Sequence, residues 1–226
     1  MAVKSIGDCY LCGAHLGKTA MEKHLLQFHK EYADGQECCL LKVEGAYREG
    51  YWFYMDVPID KTLTIVDTFL RKIWLECCGH LSEFYDTDEC KYGMETRKSR
   101  KLRSFPAGTK LYHIYDFGTT TKTIVTIMGV TTRKPQKKFV RVLARNTPPV
   151  FKCKDCGKPS DYICIEYIEP FDILFYCAEC SDKIEDDEHV MLPVTNSPRM
   201  GQCAYDGELD RYELEPIYFI KRLKQQ

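Results

Sequence analysis

GYWFYMDVPIDKTLTIVDTFLRKIWLE, residues 50–76, holds the contrast from which the fold class is read. Its first part, Gly50 to Val57, is dense in aromatic residues and predicts a strand that Pro58 ends. Its second part changes period. Leu63, Val66, Leu70, Ile73 and Trp74 recur at helical spacing, so Thr62 to Glu76 is expected to form an amphipathic helix. Asp60 or Thr62 is placed to cap its start, and Gly79 to end it.

Further along, three segments carry strand patterns: Leu111 to Phe117, Thr121 to Val130 and Lys138 to Ala144, with a turn at Gly118. A helix followed by several β segments predicts an α+β fold, a central mixed helix/sheet domain over about residues 40–148. Asn146-Thr147-Pro148-Pro149 is a breaker. A Cys/His module at 1–34 precedes this domain, and a cysteine module with a tail follows at 150–226.

The first module has the pattern Cys9-x2-Cys12-x11-His24-x4-His29. A C-x-x-C knuckle lets two thiolates meet one ion, and histidines near the end of a helix supply two imidazoles. This is a tetrahedral zinc donor set, with a central gap one short of the usual spacing of about 12. Thr19 to His29 suits the helix, with Met21, Leu25 and Phe28 as its apolar contacts. His15 is a spare candidate, disfavoured by its place beside the knuckle. Gly17-Lys18-Thr19 mimics the end of a phosphate loop, but Cys12 stands where that loop needs glycine.

The second module pairs Cys153-x2-Cys156 with Cys177-x2-Cys180 across 20 residues. Two knuckles at this spacing predict a zinc ribbon, with the intervening segment as a β-hairpin. Two Zn2+ ions are therefore expected, each closed by four protein ligands. A closed site leaves no position for a reactive water, and no H-E-x-x-H is present, so a zinc hydrolase is disfavoured.

The 226 residues are 44% hydrophobic and 29% charged with a formal net charge of −1, so any polyanion binding must come from local patches. The 13 cysteines, an odd number, favour metal ligands and reduced thiols over a secreted disulfide framework. The longest apolar stretch, Ile124 to Val130, is far below the roughly 20 residues of a helical span. The opening MAVKSIGDCYLCG has no extended apolar run. These readings place the chain in the cytoplasm, with no membrane partner.

Two phrases resemble a known family. TLTIVDTFLRKIWLECCGHLSEF at 62–84 and KLYHIYDFG at 110–118 are similar to the plasmid pRiA4b ORF-three-like family, whose members include insertion-element passenger proteins. The matching positions are His80, Leu81 and Phe84, then Tyr115, Asp116, Phe117 and Gly118. His113 replaces the first tyrosine of the second phrase. The usual Asp-x-Trp-x-His continuation is absent, and Thr119 to Lys122 stand instead. Members often carry an N-terminal Cys/His finger, and Asn196-Ser197-Pro198-Arg199-Met200-Gly201 resembles longer relatives with a zinc ribbon. The resemblance implies a compact α+β domain over roughly 45–145 and a mobile-element setting. It implies no activity.

Three readings of function follow. In the first, a non-enzymatic zinc protein contacts DNA or RNA through basic segments 97–103 and 133–145: Arg97, Lys98, Arg100, Lys101 and Arg103, then Arg133, Lys134, Lys137, Lys138, Arg141 and Arg145. The acidic run at 185–188 offsets this charge. In the second, the zinc modules dock a protein partner. In the third and least favoured, His80, His113 and Asp116 converge as an acid–base site. Otherwise His80 caps the helix end and Asp116 binds turn amides. Cys77-Cys78 reads as core and boundary, Cys164 and Cys203 as non-ligands, and Trp74, Phe84 and Phe117 as core.

Overall fold

The computed structural model describes residues 5–29, 34–48, 50–89, 93–134, 138–165, 173–184 and 190–207. Two short strands, β1 (Ile6–Cys9) and β2 (His15–Gly17), lead into helix α1 (Lys18–Phe28). Strands β3 (Gln36–Gly45) and β4 (Trp52–Pro58) precede helix α2 (Leu63–Leu70). Five strands follow: β5 (Ser82–Tyr85), β6 (Lys110–Tyr115), β7 (Thr121–Arg133), β8 (Arg141–Asn146) and β9 (Tyr162–Ile165). The last elements are β10 (Leu174–Tyr176), α3 (Ala178–Ser181) and β11 (Val190–Pro193).

Eight strands form one sheet in the order β2-β1-β8-β4-β3-β7-β6-β5, and its neighbouring strands pair antiparallel. Three more form a small sheet, β10-β9-β11. This overturns the expected mixed helix/sheet domain. The described fold is mostly antiparallel sheet, and its helices are few and short. The sheet also runs past the expected segment boundary: β1 pairs with β8, so the first Cys/His module extends the main sheet.

Strand β4 explains the layering. All seven of its residues are buried. Phe53, Met55 and Val57 face α2 and join a core with Leu63, Val66, Leu70 and Trp74. Trp52 and Tyr54 face the other way, with Met21 and Leu25 of α1. Alternate side chains thus enter two cores, and a strand covered on both faces loses the polar alternation of a half-exposed one. Strand β3 behaves likewise, with Leu41 and Val43 in one core and Leu40 in the other. Its sequence lacks a clean alternation, and sequence reasoning did not find it.

The helix expected over Thr62–Glu76 is α2 followed by a π-helical turn, Arg71–Leu75. Thr62 occupies the N-cap position without a side-chain capping bond. Gly79, at φ 76°, turns the chain after the helix, and its N–H donates to Glu76 Oε1 at 2.6 Å. Trp74 and Phe84 are fully buried, as expected of core residues, whereas Phe117 is 52% exposed because the turn after Tyr115 lifts it off the sheet. No helix of the described residues is long and apolar enough to cross a membrane.

Candidate metal centres

The first candidate centre is built by the β1–β2 hairpin and α1. The Cys9 N–H donates to Ala14 O at 2.8 Å, and the Gly13 N–H donates to Cys9 O at 2.8 Å. Gly13 sits at φ 81°, which glycine adopts without a Cβ clash. This tight knuckle turns Cys9 and Cys12 toward α1. His24 lies on the helix, and His29 sits at its C-cap. The ligand atoms of Cys9, Cys12, His24 and His29 all lie within 4.8 Å of one another. Cys12 Sγ is 3.2 Å from His24 Nε2, which is 3.2 Å from His29 Nε2. A cation between these donors turns their mutual lone-pair repulsion into coordination. His15 stands apart, 2.8 Å from Asp8 Oδ1.

The second centre repeats the knuckle. The Cys153 N–H donates to Lys158 O at 2.8 Å, the Gly157 N–H donates to Cys153 O at 3.0 Å, and Gly157 has φ 72°. The paired strands β9 and β10 carry the chain to Cys177, whose carbonyl accepts the N–H groups of Cys180 and Ser181. Cys153, Cys156, Cys177 and Cys180 offer four sulfurs within 4.8 Å. The Cys156 and Cys177 sulfurs are 3.6 Å apart. The backbone N–H of Cys177, followed by those of Cys156 and Asp155, draws the Cys153 thiol down to about 6, so it is available as thiolate at neutral pH. Cys164 is buried in the small core beside this centre and is not in the cluster.

A third cluster brings together Cys77, Cys78, His80 and Cys203. Sequence reasoning missed it. The ligands Cys77-Cys78-x-His80 have no standard knuckle spacing, and Cys203 lies more than 120 residues away. All three clusters could hold metal ions.

The acid–base trio separates. His113 is fully buried, with Nε2 2.8 Å from Asp67 Oδ1 and its ring against Phe84. His80 points to Cys203, with its Nε2 3.5 Å from that sulfur and from Asp116 Oδ2. Asp116 Oδ1 accepts the turn N–H groups of Gly118 and Thr119, as expected, and Oδ2 pairs with Arg199. Thus His113 belongs to a different network from His80 and Asp116.

The basic residues also divide. Arg133 is fully buried and, like Arg141, is bonded to Asp56. Arg145 is buried and donates to Asn196 O. These three are structural, which corrects their expected place on a phosphate-binding face: the sheet turns them inward. Lys98 is held by Asp67 and Ser82. Arg97, Arg100, Lys101, Arg103, Lys134 and Lys138 are exposed. Lys137 and the acidic run at 185–188 lie outside the described residues.

No known family's sequence profile and no curated protein matches the chain. Among solved structures, the protein of unknown function MM3350 from Methanosarcina mazei Go1 aligns with a TM-score of 0.41 and 19% identity. The alignment covers 49% of this chain and 70% of that one.

Proposed function

We propose that this is a non-enzymatic zinc protein whose exposed basic segments contact nucleic-acid phosphates. The observation that carries the reading is the meeting of the two segments at Lys61. The Leu102 N–H donates to Lys61 O at 2.8 Å, and Thr62 bridges Lys101. The Lys61 ammonium lies 4.2 Å from the centre of the Phe139 ring. Lys101 and Arg103 on one side therefore neighbour Lys138 and Phe139 on the other. Several cations on one face bind phosphates without sequence choice, and a 48% exposed Phe139 offers a ring on which an unpaired base can stack.

Kinship with the pRiA4b ORF-three-like family is part of the same proposal. It is supported by the pairing of β5 with β6, which sets Phe84 opposite His113 and Ser82 opposite Tyr115, so the two resembling phrases are sheet neighbours.

The test is fluorescence anisotropy with mixed-sequence single- and double-stranded DNA and RNA across a salt series. Binding that weakens steeply with salt, and that Arg100→Glu with Arg103→Glu reduces at least tenfold, is expected. No binding at the lowest salt rejects the reading.

A second reading, a protein-docking adaptor, has its own observation. Leu81 and Phe117 are 75% and 52% exposed, and the Asp116 N–H donates to Leu81 O at 2.9 Å, so the two apolar residues belong to adjoining backbone segments. Co-purification of one defined partner, lost in Leu81→Asp, favours this reading where phosphate affinity is absent.

A further inference from the structure

The Cys77–Cys78–His80–Cys203 cluster has the dimensions of a filled metal site. Tetrahedral zinc, with bonds of about 2.3 Å to sulfur and about 2.0 Å to nitrogen, separates two sulfurs by roughly 3.8 Å and a sulfur from a nitrogen by roughly 3.5 Å. The Cys78 and Cys203 sulfurs are 3.6 Å apart, and Cys203 Sγ is 3.5 Å from His80 Nε2. The same sulfur–sulfur distance recurs in the ribbon cluster, between Cys156 and Cys177.

The backbone is shaped for this convergence. Gly79 at φ 76° folds the turn that carries Cys77, Cys78 and His80. Cys203 lies at φ 52°, a left-handed conformation unusual for a residue with a Cβ. Such strain persists only where the surroundings impose it, and it concentrates at functional sites. Arg199 adds a supporting contact. Its Nη2 is 3.3 Å from Cys77 Sγ, so the guanidinium donates to a sulfur that would carry negative charge as a ligand.

We propose that Cys77, Cys78, His80 and Cys203 bind a third zinc ion, which clasps the C-terminal segment to the turn after α2. The donor set, three thiolates and an imidazole, suits zinc and closes all four positions. The segment is already docked just ahead of Cys203. Ser197 Oγ donates to Trp74 O at 2.6 Å, and Thr121 Oγ1 donates to Gln202 Oε1 at 2.5 Å. The ion would lock this docking at its end.

Native mass spectrometry of the full chain, purified with thiols protected, counts the ions. Three zinc ions per chain are expected, and two in Cys203→Ser. Iodoacetamide labelling of the unmutated protein locates the third ion without a variant. Cys77, Cys78 and Cys203 should be protected in the zinc-loaded chain and labelled after chelation. Two or fewer ions in the unmutated chain, three ions retained in Cys203→Ser, labelling indifferent to chelation, or a Cys78–Cys203 disulfide each overturns the proposal. The count rests on the zinc reading of the two end clusters, whereas the labelling reports on this site alone, and none of these outcomes depends on nucleic-acid binding.

Discussion

The Arg199 guanidinium, fully buried, lies 2.7 Å from the Asp116 carboxylate and 4.7 Å from the centre of the Tyr115 ring. It also donates to Thr119 O and Thr121 Oγ1. One side chain from the C-terminal segment thus completes the β6–β7 turn. Asn at position 116 keeps the left-handed φ of 65° tolerable but leaves Arg199 buried without its counter-charge. Asp116→Asn is expected to lower stability by about 3 kcal/mol, read from the urea midpoint of the zinc-loaded chain.

Asp56 carries two arginines. Arg133 Nη1 and Arg141 Nη2 each approach one of its carboxylate oxygens to 2.5 Å, with Asp56 1% and Arg133 0% exposed. Removing the anion strands Arg133, a fully buried cation at the end of β7. Asp56→Ala should cost about 3–5 kcal/mol. A loss below 1 kcal/mol in chemical denaturation would contradict this account.

Gly7 is where the first module joins the main sheet. A Cβ there would lie 2.2 Å from Arg145 O and 2.6 Å from Trp52 Cη2. Backbone cannot yield as a side-chain tip can. Gly7→Ala is predicted to cost about 1–3 kcal/mol and to loosen β1 from β8. Hydrogen exchange should show faster amides at residues 6–9 and 144–147, with the β9–β10 hairpin unchanged.

Acid should weaken the Asp67–His113 network in two stages. Burial pushes the His113 imidazole below its ordinary value and outweighs the Asp67 carboxylate. Burial would raise Asp67, but hydrogen bonds from His113 and Ser82, with Lys98 nearby, hold it well below the usual carboxylate range. Both groups bind protons more readily in the unfolded chain, so stability falls as pH falls. The His113 contribution declines below about pH 6.5, and the Asp67 contribution below about pH 4. Stability measured against pH in His113→Gln should lack the upper stage and retain the lower.

On the proposed zinc reading, chelation should act unevenly. The small C-terminal sheet has only a small core, Cys153, Cys164, Tyr176, Cys177 and Cys180, of which three belong to the candidate metal cluster. It should unfold on chelation, because a module this small draws its folding free energy from the metal. The β3–β4–β7 centre keeps its larger core on the α2 face, whose buried residues include none of the candidate ligands, and should persist. Exchange protection lost at 151–165 and 173–184, and kept at 38–48 and 50–57, is the expected pattern.

The two end clusters were legible because a knuckle is local: spacing, a glycine and two cysteines suffice to shape it. Strands β4, β6 and β7 were legible from aromatic and β-branched runs. Strand β3 was not, because side chains buried on both faces erase the alternation that marks a strand, and with it the fold class was misread. Charge on the sequence also misled at Arg133, Arg141 and Arg145. Composition shows a cation, whereas only the tertiary fold shows that Asp56 and Asn196 stand beside it. The third cluster marks the limit most clearly. The residues Cys77, Cys78, His80 and Cys203 are plain in the sequence, but a left-handed turn at each end and a docked C-terminal segment bring them within reach of one ion. Local chemistry was determined by the sequence itself; convergence over more than 120 residues was decided by tertiary structure, because no spacing rule survives a loop that long.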